Sequence, residues 1–209
     1  TWLGEERVLR FLEGPSYLSG RARYVVAWFI GAVICPFTDF FARNGVFALL
    51  ILVFIGLFRI SDITMGVMAG PFYFDMGYTE QQIGLISKTF GVFVTIFGAL
   101  LGGMLVMRFG VLCILVVSAI LVVLTNLVFA WLAAQGPEIV LLALVVVADN
   151  LSAGIAGSAF IAYLSSLTNR AYTATQYALF SSLMLLPAKF IGGFSGEIVD
   201  SFPVLERKR

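Results

Sequence analysis

Five ionisable side chains stand inside stretches that are otherwise apolar: Arg59, Asp62, Lys88, Asp149 and Lys189. A carboxylate in hydrocarbon without a partner costs at least ~2.5–3.5 kcal/mol. Asp149, in the run Ile139–Ser166, must therefore face a protein interior or a wet cavity. A carboxylate in such a low-dielectric, partly wet place can take and release a proton at physiological pH. The three cations are suited to the opposite task, holding an anionic ligand or pairing with the acids. There is no histidine, the two cysteines Cys35 and Cys113 lie far apart, and no nucleophile–base pair or metal-ligand spacing is seen. Enzyme chemistry, a metal and a cofactor are accordingly not expected, and a net charge of +1 does not suggest nucleic acid.

The elements that must position these groups are membrane helices. The chain of 209 residues is 60% hydrophobic and 12% charged, against ~25% charged for soluble domains. A spanning helix needs ~20 apolar residues. That length predicts five spans, at about 46–72, 83–107, 111–134, 139–166 and 176–200. Their loops alternate in sign. Arg43, Arg108 and Arg170 fall on one side, and Asp75, Glu80, Glu138, Glu197 and Asp200 on the other. The positive-inside rule makes the arginine side cytoplasmic, with the N-terminus there too. The apolar stretch 24–35 is too short to cross and reads as an interfacial helix. It belongs to a segment 1–45 ahead of the membrane domain 46–200. The charged residues 201–209 read as a tail, and the start at Thr1 as the sign of an excerpt.

Depth along the spans places the chemistry. At ~1.5 Å per residue, Asp62 lies ~14 Å and Asp149 ~15 Å from the outer ends of their helices. The acids are thus level, with Arg59 and Lys189 slightly deeper and Lys88 about one turn shallower. Each also has a plainer reading. Arg59 and Asp62, at i and i+3, can clamp each other. Lys88 can snorkel to the headgroups. Lys189 can serve carbonyls freed by Pro187. Asp149, Ser152, Ala156 and Tyr163 predict a polar stripe ending in an aromatic that could stack on a sugar. On the plainer reading, Asp149 is a structural partner of Asn150 or of a lysine. Thr175 and Gln176 are expected to cap the fifth span first and to gate second.

The second and fifth spans also repeat each other at an offset of 94. Gln82, Leu85 and Ser87 align with Gln176, Leu179 and Ser181; Gly98 and Gly102 align with Gly192 and Gly196. The two helices cross in opposite directions, which predicts inverted three-helix units, the second lacking its third helix.

A family resemblance rests on Asp149-Asn150-Leu151, Gly154, Gly157, Ala159-Phe160, Asn169 and the run Ala174–Leu179. Ser87-Lys88-Thr89, the stretch 36–44 and Asp62 add to it. These residues resemble the AmpG family of muropeptide permeases in the major facilitator superfamily, from about 36 to 200. Gly103-x-Leu105-x-Met107-Arg108-x-Gly110 is similar to the superfamily's loop motif, with Met107 where an acid is usual. The resemblance implies the C-terminal half of a proton-coupled importer of anhydro-muropeptides in a bacterial inner membrane, with the N-terminal half missing and this piece inactive alone. It implies Asp62 and Asp149 for proton coupling, Arg59, Lys88, Asn150, Tyr163 and Lys189 for substrate, and Arg108 and Gln176 for gating. The competing expectations are a non-transporting fragment or helix-association scaffold, and a related transporter for a substrate such as acetyl-CoA.

Overall fold

In the computed structural model, residues 25, 26 and 28–194 are described. The charged segment 1–23, the last part of the fifth span with Gly196, Glu197 and Asp200, and the tail 201–209 lie outside the described residues. The described residues contain helices and no strand.

Eight α-helices follow one another: α1 Cys35–Asn44, α2 Phe47–Phe58, α3 Ile60–Asp75, α4 Glu80–Ile83, α5 Gly91–Phe109, α6 Val111–Gln135, α7 Ile139–Leu167 and α8 Thr173–Gly193. Helices α2 and α3 form one rod interrupted at Arg59, whose backbone (φ −98°, ψ 0°) breaks the regular turn. A π-helical stretch, Gly84–Phe90, joins α4 to α5. Four helices are long and apolar enough to cross a membrane: Phe47–Asp75, Glu80–Phe109, Val111–Gln135 and Ile139–Leu167. They match the first four expected spans to within three residues at each end. Helix α8 is shorter over its described part and does not join that set; Gln176, Lys189 and several hydroxyls dilute its apolar character.

Ahead of the first span the helix is continuous through Pro36. A π-helical turn at Ile30–Ile34 feeds directly into α1, where Pro36 falls in the first turn.

Small residues set the packing. Gly98, Gly102 and Gly154 lie on the seam between α5 and α7. A methyl group on Gly154 would sit 2.5 Å from the Thr95 carbonyl oxygen, and one on Gly98 would sit 2.6 Å from that of Leu151. Nothing but hydrogen fits at these positions, so the backbones close to contact distance. Contacts run in step, Gly91 on Val146 and Asn150, then Gly98 on Leu151, then Gly102 on Ile155. The two helices are therefore parallel. Helix α7 also packs extensively on α6, while α8 packs mainly on α2 and α3.

Two apolar clusters result. One includes Phe40, Ile55, Leu115, Phe160 and Phe180, towards the arginine-bearing end. The other includes Tyr73, Tyr78, Phe129, Leu142 and Val146, towards the acidic end. At that end Tyr78 donates to the Glu138 carbonyl at 3.0 Å, tying two loops together. Burial pushes the Tyr78 phenol above its ordinary range, which keeps it a protonated donor.

Candidate functional site

Between the two apolar clusters the polar side chains of four helices come to one height. Helix α3 and its junction with α2 supply Arg59, Ser61, Asp62 and Thr64. Helix α5 supplies Thr95, α6 supplies Thr125 and Asn126, and α7 supplies Asp149, Asn150 and Ser152. Sequence depth alone had aligned Asp62 with Asp149. In the structure the two carboxylates are close enough for their charges to act on each other, and Tyr73 lies in the field of Asp149 as well.

Asp62 is paired. Its Oδ2 lies 2.9 Å from Arg59 Nη2, with the side chains 14% and 22% exposed. The clamp considered from the i, i+3 spacing is thus formed. It leaves the Arg59 Nη1 buried with no hydrogen-bond partner among the described residues, as is the Thr64 hydroxyl. Gly157 of α7 flanks that guanidinium: a methyl group there would come 3.8 Å from Nη1. The Asp149 carboxylate is partly buried and makes no hydrogen bond or ion pair with any described residue. The layer therefore holds one satisfied acid, one unsatisfied acid and a guanidinium with capacity to spare.

Neighbouring helices engage Asn150 and the expected stripe on α7. Asn150 does not line an open face. Its Nδ2 donates to the Val146 carbonyl at 2.8 Å, and its Oδ1 accepts from Thr95 Oγ1 at 2.8 Å. The close approach allowed by Gly91 turns it into the α5–α7 seam. The polar stripe on α7 is also not continuous. Ser152 is buried, bonded to the Asp149 carbonyl at 2.9 Å and lying 3.5 Å from Thr125 Oγ1 of α6. Ala156 is buried as well. Tyr163 stands edge-on to Phe54 at 5.7 Å and tilted to Phe160 at 6.1 Å, so its ring is engaged in an aromatic cluster with α2. The physical reason is the same for each: α7 is covered on two sides, by α5 and α6, and helical periodicity alone does not say which side stays open.

Lys88 and Lys189 are exposed and make no ion pair among the described residues. Lys88 lies in the π-helical stretch, a local rewinding often found at functional positions. Arg108 is exposed, with its guanidinium 5.5 Å from the Phe109 ring centre. Gln176 does not cap α8, whose first turn follows Tyr172 without a side-chain cap. It is instead fully buried and bonded to α1 and to the turn before α8. Sequence reasoning missed this cluster because its α1 partners, Pro36, Asp39 and Arg43, lie more than 130 residues away in the chain. It also missed Asn126, whose Nδ2 donates to Ser61 Oγ at 2.9 Å.

A groove of about 380 Å³ lies between α2 and α6, lined by Phe54, Phe58, Leu115, Ile120 and other apolar side chains. It has no polar side chain and does not suit an anionic or sugar-bearing ligand. No group of ligating side chains for a metal occurs among the described residues.

Helices of this length and apolarity around a polar mid-layer define a multi-pass membrane protein. The relatives narrow this further. The chain is 35% identical over 176 residues to the putative transporter AmpG 4 of Rickettsia conorii, covering 84% of this chain and 42% of that protein. It is 33% identical over 171 residues to the anhydromuropeptide permease of Escherichia coli, covering 81% and 34%. Similarity at 33% over 181 residues extends to an uncharacterized protein of Haemophilus influenzae. No family model matches. The chain is a homologue of the AmpG permeases across about four fifths of its own length, and it spans about two fifths of the length of the curated relatives it matches.

Proposed function

We propose that this chain is the C-terminal half of an AmpG-type transporter, importing anhydro-muropeptides with protons across a bacterial inner membrane. The observation that carries the reading is the mid-height polar layer in a homologue of permeases. Asp149 stands there without a partner, within the field of an Asp62 that Arg59 holds. Asp149 and Asp62 carry the proton. Arg59, Lys88 and Lys189 meet the carboxylates of the peptide, while Asn150 and Tyr163 act by holding α7 in place. Arg108 and Gln176 gate the cytoplasmic end.

Five spans arranged as inverted units fit this reading. Aligning Asp62 with Asp149 pairs the first span with the fourth, as the offset of 94 pairs the second with the fifth. Under that exchange Gly98 becomes Gly192 and Gly154 becomes Val67. Gly98 contacts Gly154, and Gly192 lies against Val67, where a methyl group would come within 3.6 Å. Both contacts belong to parallel helix pairs, as one pseudo-twofold axis in the membrane plane requires. Residues 46–200 then form the transport domain, 1–45 a preceding cytoplasmic and interfacial segment, and 201–209 a tail. By themselves these residues do not move substrate, because a cavity of this kind lies between two helical halves.

The test is a chimera in which residues of this chain replace the matching stretch of the E. coli permease. Vesicles holding the chimera should take up labelled anhydro-muropeptide under an inward proton gradient, and vesicles holding this chain alone should not. Uptake by the chain alone, or none by a correctly inserted chimera, overturns the proposal.

A further inference from the structure

The most completely satisfied polar cluster of the described chain lies outside the mid-height layer, at the arginine-bearing end. Gln176 of α8 is 0% exposed. Its Nε2 donates to the Pro36 carbonyl at 2.9 Å and to Asp39 Oδ2 at 3.0 Å. Its Oε1 accepts from the Asn169 N–H at 2.7 Å and from Arg43 Nη2 at 3.4 Å. Asp39 Oδ1 accepts from Asn169 Nδ2 at 3.0 Å, and its Oδ2 is ion-paired with Arg43 Nε at 3.0 Å. Arg43 Nη2 also donates to the Leu167 carbonyl at 3.0 Å, filling one of the vacant acceptors at the end of α7. One carboxylate and one amide thus join α1, the end of α7, the following turn and the first turn of α8.

This junction is a mechanical one. Helix α7 packs with α5 and α6, and α8 packs with α2 and α3, so the turn between α7 and α8 is where the chain passes from one group of helices to the other. A buried amide is tolerated only with its partners in place. A network in which every member is satisfied specifies one arrangement, and losing one member strands the rest.

We propose that Asp39 and Arg43 are positioning residues for the gate: with Asn169 and Gln176 they latch α1 across the α7–α8 junction, and the two helix groups part at this end only when Asp39 lets go of Gln176. The inference deepens the transporter reading by giving the gating of Gln176 its partners. It also makes the helix ahead of the first span part of the moving machinery rather than a linker.

Cys35 provides the readout. It directly precedes Pro36, is 3% exposed, and becomes the sole cysteine once Cys113 is replaced by serine. The chain is reconstituted in vesicles of phosphatidylethanolamine and phosphatidylglycerol, and alkylation of Cys35 by N-ethylmaleimide is followed by mass spectrometry. Asp39→Asn and Gln176→Glu should each speed alkylation at least ~10-fold, the scale set by losing a hydrogen bond to a charged group. The double variant Asp39→Asn/Gln176→Glu does not rebuild the cluster, because a carboxylate cannot donate to the Pro36 carbonyl. Its rate should instead fall well below the product of the two single effects if the pair acts as a unit. Single variants within about twofold of the parent overturn the proposal, and so does a double variant whose effect equals that product. A merely misfolded variant is recognised by its loss of helix content. Because alkylation needs no substrate, its outcome is independent of whether muropeptide is carried.

Discussion

Arg59 holds Asp62 through Nη2 at 2.9 Å and keeps its Nη1 buried with no partner among the described residues. The pair is local in sequence, three residues apart, but its surroundings are not: Gly157 flanks the guanidinium and Asp149 lies within the field of the carboxylate. Two of the five guanidinium N–H groups, those on Nη1, are thereby left without a partner among the described residues.

Removing one partner of this pair should hurt more than removing both. Arg59→Gln leaves Asp62 without its cation, and Asp62→Asn strands a mostly buried guanidinium. Each single change should cost ~1–3 kcal/mol, between the values for surface and buried pairs, because both side chains are mostly but not wholly buried. The double replacement should recover part of that loss. Unfolding of the detergent-solubilised chain, read as helix content against denaturant, measures all three.

Helix spacing gives a second outcome. Gly154→Ala places a methyl group 2.5 Å from the Thr95 carbonyl oxygen and must push α5 from α7, at a cost of ~1–3 kcal/mol. Gly103→Ala meets nothing within 4 Å. It should be neutral or stabilise by ~0.4–1 kcal/mol, since alanine restricts the unfolded chain. Equal melting shifts for the two variants would contradict the packing described.

Much of the framework was legible in the sequence, since apolar runs bounded by Gly110, Gly136 and charged loops leave helices little choice of limits. The seam at Gly98 and Gly102 followed from their spacing. What was not legible depends on which neighbour wins a contested face. Asn150 could have pointed into a cavity, but Gly91 offers it room and Thr95 a hydroxyl, so it closes a seam instead. Gln176 begins a helix, where a cap is the cheapest local use, yet Pro36 and Asp39 lie more than 130 residues away in the chain and take both its amide hydrogens. Likewise the helix runs through Pro36 because a π-helical turn precedes it, a register change that no local pattern announces.

The exposed cations should separate binding from stability. In the chimera, Lys88→Gln and Lys189→Gln should each weaken the half-saturation concentration for muropeptide by about 5–20-fold if they meet a carboxylate, a loss of ~1–2 kcal/mol. Neither should shift the melting point, because neither makes an ion pair among the described residues. Unchanged half-saturation for both would remove the lysines from the binding site.

Sidedness is a separate outcome. Cysteines placed at Arg108 and at Glu138, in a chain otherwise without cysteine, should react with a membrane-impermeant maleimide from opposite faces, Arg108 from the cytoplasmic one. Labelling of both from one face would contradict the alternation of the loops.

The unpartnered carboxylate of Asp149 is the centre of the account, and Asp149→Asn tests it most directly. The substitution keeps the shape and removes the titration. In vesicles holding the chimera, uptake of labelled anhydro-muropeptide driven by a proton gradient should fall to the level of protein-free vesicles, while insertion and helix content are unchanged. Gradient-driven uptake at the unsubstituted rate, with the unsubstituted dependence on pH, would contradict it.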